Sequence, residues 1–375
     1  MNEDKATRYH RLLRRAALSS TALGAAVLLL LVVTGGSAAL RIEAARLAGQ
    51  SFVLTLIVYV VLLALLAEAV QLPLAFYQGV TLERRFGLST ETPGRWWRDR
   101  LKSGGIAVLF SIVAAMIVSS LLRSSPRYWW LLASCCFGII IVALAHLAPV
   151  VLLPLFYQFT PLQRPALVNR LITLAERAGA PVLGVFEWRL SDRTRKANAA
   201  LAGIGHTRRI LLTDTLLAEH SDDEIEVILA HELAHHVYRD IWSAIAVEGV
   251  LLTLGFFLAD RVLDAAVGRF GITSKADMAA LPLLILAGGA VSLVLLPIAN
   301  ALSRAHESRA DRYALTMTNN VDAFVSAMKR LAAQNLAEER PSRFVEVLFH
   351  SHPSMSARVE AARRWSRRPF PDRSA

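Results

Sequence analysis

Charge is missing from long stretches of this chain. Residues 16–40, 104–122 and 279–303 contain no Asp, Glu, Lys or Arg, and neither does 128–157, where His146 stands among apolar neighbours. Runs of that length exclude a wholly aqueous fold, because about 20 consecutive apolar residues span a bilayer's hydrocarbon core as a helix. Two further stretches, 51–78 and 241–259, are as apolar but carry one carboxylate each, Glu68 and Glu248. Those carboxylates either line a polar interior or lie near the interface, and six spans are expected. Cysteine is equally scarce. Cys135 and Cys136 are adjacent inside an apolar run, which excludes a disulfide framework and a thiolate metal site and leaves them as lipid-buried filler. The run 16–40 is too long for the core of a removable signal peptide and has further spans behind it, so it reads as a retained anchor. No internal repeat or low-complexity tract is apparent.

What the chain has in excess is apolar and basic residues. Of 375 residues 54% are hydrophobic, and the net charge is +11. Lys and Arg number 5 in 1–15, 6 in 79–103, 10 in 158–240 and 13 in 303–375, against 2, 2 and 3 in the alternate loops. The heavy loops all fall on one side, which puts both termini and both large polar regions in the cytoplasm by the positive-inside rule. Basic residues crowded beside spans meet anionic lipid headgroups, so the bilayer is the expected partner and nucleic acid is not.

The expected fold class is mainly α, a multi-span helical membrane protein of about six transmembrane helices with a small β-sheet in its polar part. Residues 1–157 form an N-terminal membrane domain of four spans. Residues 158–375 form a second domain, interrupted by a two-span hairpin at 241–303. Leu167, Leu171, Ile172 and Leu174 give 161–180 a helical apolar face, 181–190 reads as a strand, and 198–204 with 209–213 reads as a hairpin across Gly205-His206-Thr207. One edge of that sheet is left open. Ser221 and Glu224 then form a capping box, ahead of a helix that buries Ile225, Ile228 and Leu229.

On that helix lies His231-Glu232-Leu233-Ala234-His235. Imidazoles at i and i+4 share a face and reach one ion, and zinc takes neutral imidazole nitrogen while keeping one position for water. Glu232, beside the metal, is placed to take that water's proton. His236 points about a hundred degrees away and cannot be the third ligand. The best candidate follows the last span, where Ser303-Arg304-Ala305-His306-Glu307-Ser308-Arg309-Ala310-Asp311 continues the helix out of the membrane. Glu307 can bind the metal and Asp311, one turn on, can orient a ligand histidine. The same alternation of charge also suits a plain solvated helix.

At these residues the chain resembles the type 1 CAAX prenyl protease family of integral-membrane zinc metalloproteases, with its bacterial quality-control relatives. Further similar segments run in order: Leu82-Glu83-Arg84-Arg85-Phe86-Gly87-Leu88-Ser89, Leu153-Pro154-Leu155-Phe156, Asn198-Ala199, Asp214-Thr215-Leu216 and Ser351-His352-Pro353 with Arg358. The resemblance implies a zincin-like peptidase domain, one Zn2+ with Glu307 as third ligand, helices enclosing a large chamber, and cleavage of a peptide or protein substrate at the cytoplasmic face. An extended substrate is expected to add to the strand bearing Asn198 and Ala199, with the Asn198 amide fixing its register, and the resemblance further implies that His352 stabilises the carbonyl oxygen. Arg358 is expected in a salt bridge or near a substrate carboxylate. The family's eukaryotic members have seven spans and an insertion before the metal helix. Both are missing here, which points to a bacterial plasma membrane and leaves CAAX-like tails and misfolded membrane proteins open as substrates. Six spans with internal carboxylates also suit a channel or transporter, which would hold no zinc, and a catalytically silent scaffold would keep the fold without the chemistry.

Overall fold

The computed structural model describes residues 4–49, 51–147, 151–203 and 207–367. Its N-terminal half consists of α1 (Lys5–Val33), α2 (Gly36–Leu47), α3 (Phe52–Phe76) running through a π-helical turn (Tyr77–Leu82) into α4 (Glu83–Arg85), then α5 (Pro93–Ser124), α6 (Trp129–Leu147) and α7 (Leu153–Phe156). The C-terminal half begins with β1 (Phe159–Pro161), α8 (Pro165–Arg177), β2 (Gly184–Trp188), β3 (Ala199–Ala202), β4 (Arg209–Thr213), α9 (Asp214–Glu219) and α10 (Asp222–Val237). A long hairpin follows, α11 (Asp240–Ala266) and α12 (Leu281–Thr318), and α13 (Val321–Gln334), α14 (Arg343–Phe349) and α15 (Met355–Ser366) close the fold.

Six helices among the described residues are long and apolar enough to cross a membrane, in α1, α3–α4, α5, α6, α11 and α12. The number agrees with the sequence expectation, but the first span does not run 16–40. It starts at Lys5, and Gly35, in the left-handed region at φ +73°, ends it and separates the 12-residue α2. The fourth expected span, 128–157, is helical over Trp129–Leu147 and again over 151–156, and its residues 148–150 lie outside the described residues. Glu68 is paired, since Arg100 of α5 donates to it through two hydrogen bonds of 2.7 Å. Cys135 and Cys136 are free thiols on α6.

The sheet has the order β1-β2-β4-β3, with β2 and β4 parallel and both outer pairs antiparallel. β3 pairs antiparallel with β4, as the expected hairpin does, and is an edge strand, which is the open edge expected; Gly205 and His206 of the expected turn lie outside the described residues. β1 was not anticipated: three residues ending in proline carry no alternation to read. The capping box forms as expected, with Ser221 Oγ accepting from Glu224 N–H and Glu224 Oε2 from Ser221 N–H. α8, α10, the C-terminal end of α12, α13 and α15 share one apolar core with the sheet, built around Leu171, Ile210, Ile225, Leu229 and Phe324. That core clamps α10 between the sheet and the end of a membrane helix.

Candidate active site

Helix α10 carries His231 and His235 one turn apart on the side facing α12. Nε2 of His231 lies 3.2 Å from Glu307 Oε2, and Nε2 of His235 lies 3.4 Å from Glu307 Oε1. The other imidazole nitrogens are engaged away from this point. His231 Nδ1 is 3.0 Å from Asp311 Oδ1 and His235 Nδ1 is 2.9 Å from Asp240 Oδ2. A histidine that gives its Nδ1 proton to a carboxylate presents an Nε2 lone pair to the opposite side, which is the arrangement that aims imidazole ligands at a metal. All three donor atoms lie within 4.8 Å of one another. Glu307 Oε2 is buried with no hydrogen bond of acceptable geometry, a cost that a cation between the three groups would remove. Two imidazoles and one carboxylate, with room left for water, are a donor set that suits catalytic zinc.

The expected residues arrive by different routes. Asp311 follows Glu307 by one turn of α12, and Arg358 of α15 holds it, with Nε donating to Asp311 Oδ2 at 2.8 Å. Arg358 is itself buried and its Nη2 lies 3.9 Å from Glu307 Oε2. Of the two expectations for Arg358, the salt bridge is formed. His352 is exposed, with Nε2 3.3 Å from Glu307 Oε1 and Nδ1 2.9 Å from Ser351 Oγ. Asn198 is exposed, and its Oδ1 accepts from Ala199 N–H at 2.9 Å. Asp240 was missed in the sequence. It lies five residues past His235, beyond a turn in which Arg239 adopts φ +55°, and it accepts from Arg309 as well. The one available signal was the need of the second histidine for a carboxylate partner like the first.

Burial pushes the Glu232 carboxyl above the ordinary carboxylate range. For His231, burial acts downward, but the Asp311 and Glu307 carboxylates outweigh it and leave the imidazole raised to about 9. A cavity of about 420 Å3 opens beside these groups, and Glu232, His235, Leu201, Arg208 and Trp242 are among its walls. It places the end of β3 beside the carboxylate of Glu232. A second cavity, of about 480 Å3, lies near Trp96, Asp99 and Tyr157 and holds no member of the cluster.

Comparison with known proteins shows the family. Residues 161–366 match the family profile described as Peptidase family M48, and residues 2–158 match the one described as CAAX prenyl protease N-terminal, five membrane helices. In the described part of that N-terminal region, four helices are long and apolar enough to span, α2 being too short. The chain is 30% identical over 315 residues to the uncharacterized metalloprotease YhfN of Bacillus subtilis, covering 83% of this chain and 74% of that one. It is 26% identical over 324 residues to CAAX prenyl protease 1 of Saccharomyces cerevisiae, covering 80% of this chain and 70% of that one. The crystal structure of S. mikatae Ste24p has the same fold, with a TM-score of 0.84 at 24% identity, over 96% of this chain and 87% of that one.

Proposed function

Because the chain belongs to peptidase family M48 and is a membrane-embedded zinc metalloprotease, we propose that it is an endopeptidase in which His231, His235 and Glu307 hold one zinc ion and Glu232 is the general base. The observation that carries this reading is the meeting of α10 and α12 at Glu307, with the two Nε2 atoms turned toward it and both Nδ1 atoms held from behind. Bound there, zinc supplies a Lewis acid and lowers the pKa of water. Glu232 takes a proton from the attacking water and passes it to the nitrogen of the leaving amine, and burial, which favours the neutral carboxyl, helps it hold the proton between the two transfers. Asp311 and Asp240 fix the tautomers of the two histidines. Arg358 we assign to Asp311 rather than to substrate, since its guanidinium is buried against that carboxylate. His352, exposed at the rim, donates to the carbonyl oxygen as negative charge develops there.

The substrate adds as a strand to β3. Asn198 exchanges hydrogen bonds with Thr213 of β4, so residues 198 and 200 face β4 and the backbone groups of Ala199 and Leu201 face outward. Asn198 Oδ1 occupies the Ala199 N–H, which sets where a substrate begins to pair. CAAX-like tails and misfolded membrane proteins both supply an extended segment at membrane level. The loop charges favour a cytoplasmic site in a bacterial plasma membrane, and 1–157 and 158–375 are the two domains we assign, the second interrupted by the hairpin at 241–303. The test is full-length Glu232→Gln beside Glu307→Gln, purified in detergent and assayed for bound zinc and peptide cleavage. Glu232→Gln is expected to keep one zinc per chain and to lose cleavage by about 10²- to 10⁴-fold. Glu307→Gln is expected to lose zinc, and full zinc occupancy in that variant would rule out this ligand set.

A further inference from the structure

The open edge of β3 does not run on without limit, because one side chain stops it. Asn335, the residue that ends α13, binds Ala197 from both directions: its Oδ1 accepts from Ala197 N–H at 2.9 Å and its Nδ2 donates to Ala197 O at 3.1 Å. An N–H and a C=O of one extended residue point the same way, and residues two apart along a strand share that direction. Ala197, Ala199 and Leu201 therefore line one edge, and the Asn335 amide fills the Ala197 position as a neighbouring strand would. Gln334 secures the plug from behind, its Nε2 donating to Arg195 O at 3.0 Å and to Thr215 O at 3.2 Å. Leu336, at φ +50°, turns the chain away directly afterwards, so no following residue continues the pairing. At the other end of the edge Leu201 reaches the cavity shared with Glu232 and His235.

We propose that Asn335 is a specificity-determining positioning residue that closes one end of the substrate-binding edge and so limits how far a bound peptide can pair on that side of the scissile bond. The proposal rests on substrate addition to β3. An extended peptide then pairs only with Leu201 and with the carbonyl of Ala199, whose N–H is already held by Asn198 Oδ1, and residues beyond that point gain nothing from the enzyme's backbone. The enzyme thereby counts residues from one end without recognising their side chains.

The experiment uses zinc-loaded full-length protein in detergent, with peptides of one sequence lengthened a residue at a time at either terminus, and reads kcat/KM and the cleavage positions by mass spectrometry. In the wild type, kcat/KM is expected to stop rising at a fixed length on one side. Asn335→Ala, which vacates the Ala197 edge, is expected to extend that plateau by two residues, with about a fivefold gain for each recovered backbone hydrogen bond. Asn335→Leu, which fills the space without pairing, is expected to keep the wild-type plateau, so a role confined to holding Ala197 would alter both variants alike and overturn the proposal. An unchanged plateau in zinc-loaded Asn335→Ala also overturns it. Should the variants not fold, single N-methylation along the peptide decides the matter in the wild type: a sensitive amide at the position facing Ala197 overturns the plug. If methylation has no effect anywhere, substrate addition to β3 itself fails, which separates the two claims.

Discussion

At His231 a proton and a metal compete for the same nitrogen. In the metal-free arrangement the Asp311 and Glu307 carboxylates hold the imidazole protonated up to about 9 against an ordinary 6.5, and Glu307 and Asp240 raise His235 in the same direction. Zinc affinity is therefore expected to climb with pH by about tenfold per unit for each proton displaced and to level off above about 9. The sign for the metal-free fold is opposite. His231 contributes its stabilisation in full below 6.5 and loses it as pH rises through about 9. Chelator competition across the neutral and alkaline range measures the first, and thermal melting of the metal-free protein the second. A pH-independent affinity would mean that His231 does not bind the ion. Asp311→Asn and Asp240→Asn are each expected to weaken zinc about 10- to 100-fold in the same competition assay, because each releases a ligand histidine. Asp311 was legible in the sequence because it stands one helical turn from Glu307. Asp240 was not, because the left-handed turn at Arg239 breaks the periodicity that would have tied it to His235.

Helix α12 does two jobs along 38 residues, a rod of about 57 Å. Val294 and Ile298 on it are exposed, whereas Glu307 and Asp311 farther along are buried, so the change from a lipid-suited surface to an ionic interior happens within one element. Its placement depends on the pair between Asp311 and Arg358, both almost completely buried. Arg358→Ala leaves the buried Asp311 carboxylate with only the His231 imidazole and is expected to cost about 3 kcal/mol, read as a lower denaturation midpoint; a loss no larger than that of an exposed arginine would show that α15 does not hold α12. The apolar length of α12 and the capping box of α10 were legible because each has a local signature. The meeting of the two helices was legible through Glu307, the candidate third ligand that the resemblance also implied, and not through any periodicity, which does not record which face of one helix turns toward the other. β1 escaped for the same reason, because Phe159, Thr160 and Pro161 acquire strand character only by pairing with Trp188, Glu187 and Phe186.

Two of the molecule's apolar cores stand at opposite ends of the α11–α12 hairpin. One joins the sheet to α10, α13 and α15. The other gathers Trp129, Leu263 and Ile272 around the α11–α12 turn, where Asp260 accepts from Trp129 Nε1 at 2.7 Å and from Lys275 Nζ at 2.8 Å. The metal cluster belongs to the first end, and the weight of Lys and Arg in the flanking loops favours that end for the cytoplasm. Cysteine labelling tests the orientation directly, in a background where Cys135 and Cys136 are serine. Gln163 is exposed between β1 and α8, and Ser274 is exposed in the α11–α12 turn. With a membrane-impermeant maleimide, Gln163→Cys is expected to react only in inverted vesicles and Ser274→Cys only in spheroplasts. The reverse pattern would put Glu232 and its histidines on the outer face, where neither CAAX-like tails nor cytoplasmic segments of misfolded proteins could reach them, and the substrate assignment would fall while the metal chemistry stood.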